Sequence, residues 1–197
     1  MLCKITQFTL FLHMPGLPGT PAGGAVYVRW GRKSCPNNVS LVYNGTAAGS
    51  LNGAGGTSDT FCMPEDPSYK HVIDSVGRFK TFLDNIRYET DEMFSSINEA
   101  NVPCAVCQSE TRSVALLQPG KTSCPEGWTK EYAGYLMADE YNNEPRSAIC
   151  IDEAAEGAGN PNYRDRGLTS AMFASCGGLK CPPYNPNGLV TCTVCTK

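Results

Sequence analysis

The chain has 197 residues, 41% hydrophobic and only 18% charged, with 20 glycines and 14 prolines, a balance that favours short strands and many turns over long helices. A net charge of −3 gives no electrostatic reason to expect nucleic acid or an anionic membrane as partner, and no run approaches the roughly 18 apolar residues of a membrane span. Eleven cysteines are too many for a reducing cytosol and point to a secreted protein.

Residues 1–14, MLCKITQFTLFLHM, read as a leader or signal remnant: Lys4 precedes an apolar run through Leu12, but no small-x-small cleavage site follows. Cys3, inside this segment, is the odd cysteine. Residues 15–23 contain Gly16-Leu17-Pro18-Gly19-Thr20-Pro21, two Gly-X-Y triplets with proline in third place. Alone they read as a Pro/Gly linker, since two triplets cannot form a stable triple helix.

Ala25–Trp30 is β-branched and aromatic between glycines, which predicts a strand. Val39–Tyr43 and Asp59–Cys62 are the next two, and Gly45–Gly56 between them reads as a flexible glycine-rich loop without the spacing of a phosphate cradle. In the irregular stretch Lys70–Asn101, the positions Val72, Val76, Phe79, Leu83 and Ile86 fall at helical spacing and predict a short amphipathic helix. Val114–Gln118, Trp128–Tyr132 and Ser147–Ile151 are predicted strands of the second half, followed by a Gly/Asn-rich loop over Glu153–Asn162.

These elements repeat. At an offset of 89 residues Cys35 meets Cys124, Tyr43 meets Tyr132 and Gly45 meets Gly134; at 88, Cys62 meets Cys150, Cys104 meets Cys192 and Cys107 meets Cys195. The expectation is an all-β chain of two tandem, pseudo-symmetric, antiparallel subdomains from an internal duplication, residues 24–108 and 109–197, stapled by disulfides.

Each half closes on Cys-x-x-Cys, Cys104–Cys107 and Cys192–Cys195. A redox motif wants the first cysteine at a helix N-terminus, yet Pro103 precedes the first copy and the intervening residues are β-formers. A zinc site wants turn-forming residues between its cysteines, and Ala-Val and Thr-Val are not such residues. Structural disulfides fit better. On a strand, positions three apart point to opposite faces, so the two cysteines reach different partners. Cys35 and Cys62, or Cys124 and Cys150, stand upstream for them, and Cys176 and Cys181 bracket a short loop of their own.

The segments GGAVYVRWGR, SCPNNVSLVYNG, FCMPEDPSY, NVPCAVC, CPEGWTKEYAGYLM and CGGLKCPPY…LVTCTVCTK resemble the short-chain, spongin-type collagens of sponges and related invertebrate matrix proteins. More distantly they are similar to the C-terminal non-collagenous domain of type IV collagen, also a tandem duplication. That resemblance implies the pairs Cys35–Cys107, Cys62–Cys104, Cys124–Cys195, Cys150–Cys192 and Cys176–Cys181, the first half lacking a short-loop pair. It also makes residues 15–23 the stub of a collagen-like segment.

No nucleophile elbow, metal motif or paired carboxylate site is legible; the two histidines are His13, in the leader, and His71. Glu65-Asp66 and Asp152-Glu153 follow the third strands at equivalent places and, without EF-hand spacing, read as solvated turns and not as a calcium site. The sequence therefore predicts no enzyme and no cofactor. The expected role is an extracellular-matrix assembly module with sequons at Asn38 and Asn44, self-associating as a homotrimer or higher assembly and meeting other matrix proteins. The alternative is a secreted glycan-binding, lectin-like module, for which Trp30, Tyr135 and Tyr141 are the candidate contacts, with Trp128 and Tyr132 as further aromatics.

Overall fold

In the computed structural model the described residues are 23–50, 56–70, 81–90, 93–143, 145–159 and 167–197. They form strands β1 (Val26–Trp30), β2 (Val39–Ser50), β3 (Phe61–Pro64), β4 (Leu83–Tyr88), β5 (Pro103–Ser109), β6 (Ala115–Pro119), β7 (Thr129–Ala138), β8 (Ile149–Asp152), β9 (Gly167–Ala171) and β10 (Thr191–Thr196). One 3-10 turn lies at Ser95–Ile97. The fold is all-β and disulfide-rich.

The strands make one sheet in the order β6-β10-β7-β8-β1-β5-β2-β4-β9, with β3 beside β2. β9 also pairs with β7, so the path from β7 through β8, β1, β5, β2, β4 and β9 returns to its start. Every strand pairing within residues 24–108 and within 109–197 is antiparallel, but the two segments share one mixed sheet, because the strand pairings between them are parallel. β1 runs parallel to β8, with Trp30 opposite Ile151, and β4 runs parallel to β9. Both parallel pairs join a strand before residue 110 to one after residue 114. Parallel neighbours require long crossovers, which only distant segments supply.

β5 explains the Cys-x-x-Cys. Its residues Pro103 to Cys107 are all buried, because β1 covers one edge, β2 the other, and both faces meet apolar side chains. Cys104 and Val106 enter a cluster with Trp30, Ile86, Tyr88, Met137 and Ile151; Ala105 and Cys107 enter a second with Tyr27, Tyr132 and Val194. Continuous apolar sequence is what a strand buried on both faces needs.

Two expectations fail locally. The strand beginning at Val39 does not stop at Tyr43 but continues to Ser50, so residues 45–50 of the predicted flexible loop are sheet; residues 51–55 lie outside those described. Gly45 is there for close approach, since a Cβ on it would stand 1.7 Å from the carbonyl oxygen of Met63. Leu83 and Ile86, read as part of a helix, lie in β4, with Leu83 exposed and Ile86 buried. Val72, Val76 and Phe79 lie outside the described residues, as does His71.

The strands flanking β5 and β10 share one register. Tyr43 lies opposite Val106 and Gly45 opposite Cys104; Tyr132 lies opposite Val194 and Gly134 opposite Cys192. Each ladder has a bulge, and the extra residue is Val42 in β2 and Glu131 in β7. Likewise Tyr27 lies opposite Cys107 in the β1–β5 pair, and Leu116 lies opposite Cys195 in the β6–β10 pair.

Candidate functional site

Among the described residues there are five disulfides: Cys35–Cys107, Cys62–Cys104, Cys124–Cys195, Cys150–Cys192 and Cys176–Cys181. The first four span 72, 42, 71 and 42 residues, and the last closes a loop of 5. Cys104 and Cys107 reach different partners because they lie on different faces of β5. Cys3 lies outside the described residues.

Polar clasps between distant segments complete the frame. Glu131 is buried and accepts from the Tyr27 hydroxyl at 2.8 Å, from Arg112 Nη2 at 2.8 Å and from the Thr196 hydroxyl. Arg112 Nε in turn donates to Thr196 Oγ1. Arg29 Nε meets Asp152 Oδ2 at 2.8 Å, both largely buried, and Arg29 Nη1 donates to the carbonyl of Ser34. Burial pushes the phenols of Tyr27, Tyr88 and Tyr132 well above their ordinary range, so all three remain donors. Tyr88 donates to the carbonyl of Glu156, and Tyr132 lies within reach of the carbonyls of Val28 and Cys150.

A third clasp holds the end of β2. Arg146 Nη2 donates to the carbonyl of Ser50 at 2.7 Å, and Nε stands 2.8 Å from Asp139 Oδ2 with both side chains almost fully buried. Charge attraction joins that pair without the alignment of a hydrogen bond, since Oδ2 has no hydrogen-bonding partner. Burial raises the Asp139 carboxyl above its usual range, outweighing the pull of Arg146.

The candidate association surface lies where the repeated register is filled once and left open once. Among the described strands β6 pairs with β10 alone, so its other edge is free. Leu116 and Leu117 on it are exposed. An apolar groove of about 220 Å³ separates β6 from β1 and β8, lined in part by Val28, Trp30, Leu117 and Ile149. At the far side of the sheet Leu41, Val42 and Tyr43 are exposed in a row on β2. The two bulge residues therefore differ: Glu131 is 8% exposed beneath Tyr27, while Val42 is 53% exposed.

The remaining sequence candidates are scattered. Trp30, at 9% exposure, and Tyr132 are packed into the core and show only an edge to the groove beside β6; Trp128 is half-buried. Tyr135 is half-buried with its ring edge-on to Phe94 at 6.0 Å, and Tyr141 alone of this set stands free in solvent. Asn38 is exposed at a positive φ, whereas Asn44 Nδ2 donates to the carbonyl of Lys33. Glu65 makes an exposed ion pair with Lys33. Asp152 is no solvated turn residue but the buried partner of Arg29. Among the described residues no three His, Cys, Asp or Glu side chains are placed to hold a metal ion. No protein-family model matches this chain.

Sequence reasoning missed Glu131, Arg112 and the Arg29–Asp152 pair. The one available signal was the mismatch at a repeat position, a glutamate where the first half has valine.

Proposed function

We propose that this chain is a secreted structural module of extracellular matrix, built as two equivalent halves, whose work is to associate with copies of itself. Duplication is supported by the shared register, by disulfide spans that match to within one residue, 72 against 71 and 42 against 42, and by glycines at matching close approaches, Gly45 and Gly134. Secretion is supported by five disulfides, which form and persist in oxidising compartments and are rare in reducing ones. The likeness of the cysteine segments to short-chain, spongin-type collagens supports the matrix setting.

One observation carries the reading. Within the chain, Tyr27 of β1 sits on the bulge residue Glu131 of β7. Leu116 of β6 holds the register of Tyr27, and Val42 of β2 holds the register of Glu131, yet both are exposed. Both open surfaces are apolar. β6 of one copy placed on β2 of the next repeats between chains the contact already made within one. Such a head-to-tail contact closes into a ring when its rotation divides a full turn, and a homotrimer of two-part chains is the smallest such ring above a dimer.

Sedimentation of the full oxidised chain at tens of micromolar tests this. A trimer or higher closed assembly is expected, lost in Leu116→Lys and in Val42→Glu. It returns in the Val42→Glu/Leu116→Lys double variant, where opposite charges meet. A monomer in every case removes the proposal.

A further inference from the structure

The five disulfides among the described residues do not stand in equal surroundings. Cys104, Cys107, Cys192 and Cys195 are all at 0% exposure, so each of the four long-range bridges has one cysteine sealed inside the protein. The short bridge differs. Cys176 is exposed, Cys181 is half-buried, and the residues between them, Gly177 to Lys180, are all exposed.

The loop that carries this bridge is closed without it. β9 ends at Ala171 and β10 begins at Thr191. Met172 N–H donates to the carbonyl of Leu136, and Leu136 N–H donates to the carbonyl of Val190, so both ends of the loop are tied to β7. Val190 N–H donates to the carbonyl of Met172 at 2.9 Å, and Ala174 N–H to that of Gly188 at 2.8 Å. All these bonds lie between the bridge and the strands, and opening the bridge leaves them in place. The matching connection in the first half, from β4 to β5, has no cysteine, since Cys62 is followed directly by Cys104. Yet β4 meets β2 at Asn85 and Ala48 much as β9 meets β7 at Ala171 and Met137. The fold does not depend on this bridge.

We propose that Cys176–Cys181 is the site at which an external small thiol, of the glutathione kind, exchanges into the folded chain. The thiolate attacks Cys176 Sγ; a sulfur–sulfur bond forms there as the Cys176–Cys181 bond breaks, and Cys181 leaves as a thiolate that takes a proton from water. A second thiol attacks the mixed disulfide and leaves as the small disulfide, freeing Cys176, so two thiols supply the two electrons that reduce the bridge. Exposure selects Cys176 as the sulfur attacked. Lys180, next to Cys181 in sequence, favours the departing thiolate, because a neighbouring cation stabilises that charge. In the other bridges the leaving sulfur or the attacked one is sealed. Cys104 lies in one apolar cluster, and Cys107 and Cys192 in the other, where a thiolate is stripped of water.

Reduction of the full oxidised chain with dithiothreitol, quenched over time with iodoacetamide and mapped by peptide mass spectrometry, tests this. Cys176 and Cys181 are expected to be alkylated at least about tenfold faster than any other bridged cysteine, since buried bridges must wait for the structure to open. Near-ultraviolet circular dichroism should stay unchanged through that phase. With reduced glutathione instead, the trapped intermediate should carry glutathione on Cys176 and the alkyl group on Cys181. Cys176→Ser/Cys181→Ser should keep the fold and lose the fast phase. The proposal is overturned if the bridges open together, if another opens first, if the dichroism collapses as this one opens, if glutathione is trapped on Cys181, or if the folded double variant keeps the fast phase.

Discussion

The Tyr27 hydroxyl donates to Glu131 at 2.8 Å across 104 residues, and through that bond the first strand of the chain is fastened to the long strand of its second half. Glu131 answers three donors at once, so its loss strands Arg112 and Thr196 as well. Glu131→Ala is expected to destabilise the oxidised protein by about 3 kcal/mol and Tyr27→Phe by about 1 kcal/mol, measured from urea midpoints. Equal effects would mean that Arg112 and Thr196 find water instead.

Gly167 marks the second vulnerable contact. A Cβ there would stand 2.0 Å from Arg146 Nη1 and would expel the guanidinium from between Ser50 and Asp139. Gly167→Ala is expected to cost about 3 kcal/mol, because Asp139 then keeps a buried charge without its partner. Gly178→Ala meets nothing within 4 Å and serves as the control, with a change below about 0.5 kcal/mol.

Asp139 also sets a pH dependence. Burial holds its carboxyl above the ordinary 3.8, so the folded state binds the proton more tightly than the unfolded chain. Its contribution is full below 3.8 and is lost as pH rises through the higher folded value. Unfolding titrations across acidic pH should therefore show the stability of the native protein falling relative to Asp139→Asn as pH increases. A rising difference would mean that Arg146 outweighs burial.

The disulfides should rank by the chain they close. Cys35–Cys107 spans 72 residues and Cys176–Cys181 spans 5. Replacing the first pair with serine is expected to cost about 4 kcal/mol and the second less than about 2.5 kcal/mol, since the entropy removed from the unfolded chain grows with loop length. Thermal unfolding of the two double variants checks the order. Peptide mapping without reduction should join Cys104 and Cys107 to different upstream cysteines; a direct bond between them would contradict the two-faced burial of β5.

What could be read from the residues was whatever has a local period. β-branched runs marked the cores of β1, β5 and β8, and cysteine spacing marked the closing strands. Glycine misled at β2, because a loop that needs freedom and a strand that needs room for Met63 both ask for a missing Cβ. The spacing of Leu83 and Ile86 suits one helix face equally well as opposite strand faces. Tyr27–Glu131 and Arg29–Asp152 were out of reach, for each is assembled by strands far apart in sequence. Leu116 and Val42 were visible as apolar residues, but only the register identifies them as counterparts of a filled contact.

Every disulfide among the described residues closes within residues 35–107 or within 124–195, while β1–β8, β4–β9, Tyr27–Glu131 and Arg29–Asp152 all join a residue before 110 to one after 114. Hydrolysis of the Arg112–Ser113 bond would thus leave two covalently independent pieces gripping each other through pairing alone. Denaturant without reductant would part them, and on dilution each would be the other's missing template.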